Sequence, residues 1–91
     1  MDMEAKIGYI YEHFASHPNL AFSGSELDRI GQKPSGTFHH ALKRLESRGH
    51  ILGCRESLEG QTGKRILRYR LTSSGLAHVN GLYLDRVQEV C

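Results

Sequence analysis

Apolar residues near the start of the chain recur at steps of three and four, which is the spacing of one helix face. The residues in this pattern are Met3, Ile7, Ile10 and Phe14. The pattern stops before Pro18, because a proline disfavours the helical conformation in the residue that precedes it. The sequence therefore predicts a first helix that packs one side into a core.

Two further helices are expected next, with a short turn between them. Ser23 can cap the start of a helix, and Gly31 is typical of the position just past a helix end. The turn through Pro34 leads to Ser35, which we expect to cap a third helix over residues 35–49. Two helices joined by so tight a turn form a helix-turn-helix pair.

The third predicted helix has an apolar side and a polar, partly cationic side. Its apolar residues fall within a stripe of roughly 100°, so this face is expected to be buried. They are Phe38, Ala41, Leu42 and Leu45. The opposite face and its edges hold Gly36, His39, His40, Lys43, Arg44 and Ser47. Taken alone, such a face is also typical of an ordinary solvated helix.

Two strands separated by a glycine-containing turn follow this helix. They are predicted over residues 51–57 and 64–71. In the second strand, Leu67, Tyr69 and Leu71 fall on one face, while Lys64, Ile66, Arg68 and Arg70 fall on the other. Cationic residues also protect exposed edge strands from pairing. Lys64 and Arg65, which lie nearer the turn, are therefore the stronger candidates for contact with an acidic partner.

The last segment is expected to form a helix from residue 73 to about residue 90, capped by Thr72 and Ser73. Apolar residues recur along it at coiled-coil-like steps. The predicted seam consists of Leu76, Val79, Tyr83 and Val87. So small a domain cannot cover all of this apolar surface, which favours a symmetric homodimer. A helix that folds back on its own domain is the alternative.

The charge of the chain is unevenly distributed. The net charge is only +2, but residues 32–70 carry +6 and the remainder carries −4. Positive charge is thus concentrated in the third helix and the two strands. A protein that presents one face to phosphates is expected to show this asymmetry.

The length of 91 residues provides for one domain and leaves little room for a catalytic cleft. We expect a mainly α chain with a β-hairpin wing (α+β): a winged helix-turn-helix over residues 1–72 and a dimerisation helix over residues 73–91. No catalytic motif is found. The sequence therefore favours a protein that is not an enzyme and needs no cofactor.

Other sequence features exclude several classes of protein. No apolar stretch approaches the roughly 18 residues of a membrane span, and the N-terminus lacks the features of a signal peptide, so we expect a cytoplasmic protein. Cys54 and Cys91 are expected to be free thiols, with a redox-sensing pair as the alternative. His13 and His17 could share a helix face, but no further ligands complete a metal site.

A set of motifs recurs at fixed spacing across the third helix and the second strand: Gly-Thr-Phe-His-His-Ala-Leu-Lys-Arg-Leu at 36–45, Gly49, Tyr-Arg-Leu-Thr at 69–72 and Gly75. In this order the motifs resemble the PadR family of bacterial transcriptional repressors and, more loosely, the MarR family. The likeness covers roughly residues 24–80. It departs from the family at His39 and His40, where a Tyr-Pro pair is common, and in the opening of the second helix. The resemblance implies a winged-helix repressor.

The resulting hypothesis is a homodimeric regulator that binds a palindromic site in double-stranded DNA. The residues expected to contact DNA are Ser35, Gly36, Thr37, His39, His40, Lys43, Arg44, Ser47, Lys64, Arg65 and Arg68. The main alternative is a winged helix that binds protein, for example a phage or plasmid factor that blocks a host complex. RNA binding is less favoured, since no aromatic platform is apparent. The sequence identifies no small-molecule effector.

Overall fold

The computed structural model describes residues 2–57 and 65–81, and these residues form four helices and a three-stranded antiparallel sheet. The helices are α1 (Met3–Ser16), α2 (Gly24–Ile30), α3 (His39–Ser47) and α4 (Ser73–Val79). The strands are β1 (Ala21–Ser23), β2 (Ile51–Ser57) and β3 (Arg65–Leu71). The architecture is therefore α+β, as the sequence predicts.

Helix α1 forms where the apolar spacing predicts it. The side chain of Asp2 accepts a hydrogen bond from the backbone N–H of Ala5 at 2.8 Å, which satisfies one of the amides that the first turn leaves unpaired. The helix ends two residues before Pro18. Ile10 and Phe14 are fully buried. The prediction of a core helix is confirmed.

Helix α2 begins with a reciprocal capping box. The Ser23 hydroxyl accepts from the backbone N–H of Glu26 at 3.1 Å, and the Glu26 carboxylate accepts from the backbone N–H of Ser23 at 3.2 Å. Leu27 is fully buried, and Gly31 follows the end of the helix. The predicted cap and helix end are confirmed. Ile30, by contrast, is half exposed.

The apolar stripe predicted for the third helix forms the centre of the core. Phe38, Ala41, Leu42 and Leu45 are all buried. The other members of the core are Ile10, Phe14, Leu27, Ile51, Tyr69 and Leu71. Full burial of one such large side chain contributes about 1.5–3 kcal/mol. Because one side of α3 is anchored in this way, the orientation of its opposite side is fixed.

The sheet has the strand order β1-β3-β2, with every neighbouring pair antiparallel. Strands β2 and β3 form the predicted hairpin, in a register that places Ile51 opposite Leu71. Tyr69 and Leu71 are buried, so the predicted alternation of the second strand is confirmed. Residues 58–64, which include the predicted turn and Lys64, lie outside the described residues.

Strand β1 is not expected from the sequence, because three residues are too few to show an alternating pattern. It pairs with β3 through Phe22, which lies opposite Tyr69. Phe22 also packs against the core. The strand therefore closes the sheet on the side away from β2.

Helix α4 packs against the loop between α3 and β2. The Thr72 hydroxyl accepts from the backbone N–H of Gly75 at 3.0 Å and donates to the carbonyl of Gly49 at 2.6 Å. A Cβ atom at position 75 would overlap the backbone carbonyl of His50. Glycine is therefore required for the close approach of these two segments. The predicted cap at Thr72 is confirmed.

The end of α4 differs from the sequence prediction. The helix ends at Val79, Asn80 is its C-cap, and Gly81 has a φ of 72°. A glycine in this left-handed conformation is a common helix stop. The prediction of one uninterrupted helix to about residue 90 is therefore wrong at this point. Tyr83 and Val87 of the predicted dimer seam lie outside the described residues.

Cys54 on β2 is disulfide-bonded. The expectation of a free thiol is therefore wrong for this residue. The other cysteine of the chain, Cys91, lies outside the described residues.

Candidate nucleic-acid interface

The polar face predicted for the third helix is directed away from the core. Its residues within α3 are His39, His40, Lys43, Arg44 and Ser47, and all five are exposed. The apolar stripe on the other side of the same helix is buried, so this face is available for contact with a partner.

Lys43 makes one ion pair on this face, and this pair is exposed to solvent. Its Nζ lies 3.8 Å from Oε1 of Glu46, and its side chain is 50% exposed. Exposed pairs between neighbouring turns of a helix contribute less than about 1 kcal/mol, so an incoming phosphate can compete for Lys43. Glu46 also accepts from the backbone N–H of Gly53 at 3.0 Å, which ties α3 to β2.

The start of α3 corrects one prediction. Ser35 does not cap this helix, which begins at His39 and has Phe38 at its N-cap without a side-chain cap. Gly36 has a φ of 85°, outside the helical range. The Thr37 hydroxyl donates to the carbonyl of Pro34 at 2.6 Å. Residues 35–38 therefore form a turn before the helix, and the helix is shorter than expected.

The side chain that organises this turn is Asp28 on α2. Its carboxylate is buried and accepts from the backbone N–H of Gly36 at 2.8 Å and of Phe38 at 3.3 Å. Asp28 thus orders the turn that leads into α3, where the sequence predicts a cap at Ser35. The sequence gives little sign of this role, because both amides lie at a distance along the chain and in another element.

The histidines of the described residues lie in pairs rather than in a metal-binding cluster. The rings of His39 and His40 are 5.4 Å apart and inclined by 69°, and those of His13 and His17 are 5.1 Å apart. Among residues 2–57 and 65–81, no group of three His, Cys, Asp or Glu residues is placed to hold a metal ion. His39 and His40 are instead both exposed on the outer face of α3.

The hairpin of β2 and β3 places two of the predicted contact residues in different surroundings. Arg65 is exposed at the start of β3. Arg68 is paired with two carboxylates: its Nε lies 3.0 Å from Glu26 and its Nη1 lies 3.2 Å from Glu56. Arg65 is therefore more accessible to an external partner than Arg68.

A surface cleft separates the helix-turn-helix from the hairpin. We name it the helix–wing cleft, and its walls come from α2, the turn before α3, α3 itself and β3. Its polar lining includes Ser25, Glu26, Arg29, Ser35, Gly36, His39 and Arg68. Ser35 and Gly36, which were predicted to contact a partner, are thus brought together with Arg68 in a single cleft.

An apolar patch lies on another part of the surface. Leu20 is 51% exposed and Leu76 is 40% exposed, and both border one shallow groove near the start of α4. Val79, also predicted at a dimer interface, is half-buried beside Tyr11 and Ala15 of α1. Two residues of the predicted dimer seam are described, Leu76 and Val79, and Leu76 is the more accessible of the two.

The arrangement of these elements defines the class of fold. Helices α1, α2 and α3 are followed by a hairpin whose strand β3 also pairs with β1, and α3 lies with one face buried and the other exposed. This is a winged helix-turn-helix. No helix within residues 2–57 and 65–81 has the length and apolar character needed to cross a membrane.

Among solved structures, the chain is similar to Pex from Synechococcus sp. (strain PCC 7942), with a TM-score of 0.60 and 23% sequence identity. The match covers 78% of this chain and 66% of that chain. At this level of identity, the likeness supports the fold. No protein-family model and no curated protein matches the sequence.

Proposed function

We propose that this protein is a sequence-specific, double-stranded DNA-binding transcriptional regulator. The observation that carries the proposal is the exposed polar face of α3, which stands on a buried core stripe beside a basic wing. A helix of this kind fits the major groove, where side chains distinguish base pairs by their hydrogen-bonding edges. His39, His40, Lys43 and Arg44 would then face bases or adjacent phosphates.

The wing would contribute mainly to affinity. Contacts with phosphates position a protein on the duplex and carry little sequence information. Arg65 is exposed at the wing, and Lys64, the residue before it, lies outside the described residues. The excess positive charge of residues 32–70 supports this assignment.

The finer proposal is a repressor that acts as a homodimer on a palindromic operator. The resemblance of the motifs to PadR-like proteins supports repression. The exposed Leu76 supports assembly of two copies, because an isolated domain leaves this apolar side chain in water. Two recognition helices related by a twofold axis require a site with matching symmetry.

Substitution of the α3 cations tests the proposal. A duplex selected from random sequences would be used as the operator, and binding would be titrated with Lys43→Ala and Arg44→Ala. Loss of a base contact should cost about 1–3 kcal/mol and relax specificity at one position. Lys6→Ala removes a charge from α1 and should bind like the parent. Parent-like binding by both α3 variants would refute the assignment of the recognition helix.

A protein-binding module is the second candidate, and exposed Leu20 and Leu76 favour it. The two functions differ in their dependence on salt. Neutralisation of several phosphates releases counterions, so DNA affinity should fall steeply as salt rises. An apolar protein interface should show little such dependence. Titration of the parent with duplex DNA at several salt concentrations distinguishes the candidates.

A further inference from the structure

The guanidinium of Arg68 lies between two carboxylates from different elements. Its Nε donates to Oε1 of Glu26 at 3.0 Å, and its Nη1 donates to Oε2 of Glu56 at 3.2 Å. Glu26 belongs to α2, Glu56 to β2 and Arg68 to β3. The three side chains are between 32% and 46% exposed. One arginine therefore links both strands of the wing to the helix that precedes α3.

Glu26 is held in place from a second side. Its carboxylate also accepts from the backbone N–H of Ser23 and completes the capping box of α2. Burial acts to raise the pKa of Glu26, but the hydrogen bonds from Ser23 and Arg68 outweigh it and hold that pKa below its ordinary value. Glu26 is therefore ionised at neutral pH, and its carboxylate cannot turn away without losing the hydrogen bond from the Ser23 backbone N–H.

The ionised carboxylate of Glu26 opposes DNA binding unless a nearby cation neutralises its charge. Glu26 lines the helix–wing cleft together with Ser35, Gly36 and His39 of the α3 side. A strand of DNA backbone that passes between the recognition helix and the wing would bring phosphates to this cleft. Like charges at close range repel each other, and partial burial weakens the screening by salt.

We propose that Arg68 is a positioning residue for DNA binding, which neutralises Glu26 and Glu56 and fixes the wing against α2 without itself contacting a phosphate. The proposal rests on the DNA-binding function above and changes the role of Arg68 within it. Two of its N–H groups are directed at carboxylates, and hydrogen bonds between charged partners are stronger than neutral ones. Arg65, exposed on the same strand, remains the phosphate contact.

The test compares removal of the cation with removal of all three charges. The variants are Arg68→Gln, the double variant Glu26→Gln with Glu56→Gln, and the triple variant that combines them. Glutamine at position 26 preserves the capping box, because Glu and Gln both serve at this position. Arg65→Gln, alone and in the double-variant background, is the matched control, since it removes the same charge from the same strand.

Arg68→Gln should weaken binding to all duplexes alike, by roughly tenfold, because two carboxylates lose their partner. The triple variant should recover affinity to within about threefold of the parent, with the salt slope of the parent. Arg65→Gln should lower the salt slope by about one, and removal of the two carboxylates should not restore that slope.

Two results would overturn the proposed role of Arg68 and leave the proposed DNA-binding function intact. One is a triple variant as weak as Arg68→Gln with a salt slope lower by about one, which would make Arg68 a direct phosphate contact. The other is parent-like binding by Arg68→Gln. Thermal melting of each variant identifies unfolded protein, and Arg68→Met, which also removes the charge but keeps a long side chain, replaces Arg68→Gln if that variant fails to fold. A parent that binds no duplex overturns both this proposal and the proposed function.

Discussion

His13 occupies a site that disfavours its charged form. Its ring lies 4.4 Å from that of Phe22 and 5.1 Å from that of His17, measured between centroids. Among the described residues, its buried Nε2 has no hydrogen-bond partner. Burial, and secondarily the charge of His17, lower the pKa of His13. The folded protein therefore takes up a proton at this residue less readily than the unfolded chain.

The stability of the protein should consequently decrease on acidification. A histidine with a lowered folded-state pKa leaves stability unaffected above the ordinary pKa, about 6.5, and reduces it as pH falls below that value. Urea unfolding of the parent at pH 7.5 and pH 5.5 measures this loss. His13→Phe keeps a ring among its aromatic neighbours and should show a smaller loss. An equal loss in both proteins would place the acid-sensitive group elsewhere.

At the scale of elements, the relation between α2 and α3 depends on one buried carboxylate. Asp28 accepts hydrogen bonds from the amides of Gly36 and Phe38, which belong to the turn before α3. Removal of the Asp28 carboxylate leaves the backbone N–H groups of Gly36 and Phe38 without their acceptor at a partly buried site. Asp28→Ala should therefore lower the free energy of unfolding by about 1–3 kcal/mol.

Chemical unfolding measures this change, and Glu12→Ala, at an exposed position of α1, is the control and should have little effect. DNA affinity should fall more than stability alone explains, because the start of α3 loses its orientation. If Asp28→Ala unfolds like the Glu12 variant, the turn must be held by its other contacts.

The elements that the sequence predicts well are those whose cause is local. The spacing of Ile10 and Phe14 is sufficient to predict α1, and the apolar stripe of α3 is sufficient to predict its buried face. The missed features depend on contacts between distant parts of the chain. Strand β1 exists because it pairs with β3 around Tyr69, and the start of α3 is set by Asp28 rather than by the adjacent Ser35. The sequence favours Arg65 over Arg68 only because Arg65 lies nearer the turn, and the pairing of Arg68 with Glu26 and Glu56 is visible only in the structure.

At the scale of the whole molecule, the exposed leucine of α4 determines the expected assembly. Leu76 and Leu20 border the same groove, so their apolar surfaces can be covered together by a second copy. The parent should sediment as a dimer at tens of micromolar. Leu76→Asp should shift it toward monomer, because a charge in a dry interface lacks solvent and a partner. DNA affinity should fall with it, since two linked half-sites bind more tightly than one.

Ile30→Asp is the matched control for this experiment. Ile30 is 50% exposed at the end of α2, away from the Leu20–Leu76 groove. This variant should remain a dimer. A monomeric parent would remove the argument for a palindromic operator, and an equal effect of both variants would indicate a general loss of solubility.

The pairing of β1 with β3 also has a consequence for the order in which the chain folds. Phe22 and Tyr69 are strand partners, although α2, α3 and β2 lie between them in sequence. During synthesis, β1 leaves the ribosome long before β3, and until β3 has emerged β1 has no strand to pair with. Closure of so long a loop is entropically costly, and contacts of this kind slow folding. The hydrogen bonds of each helix are local in sequence, whereas the sheet can be completed only after β3 has been made.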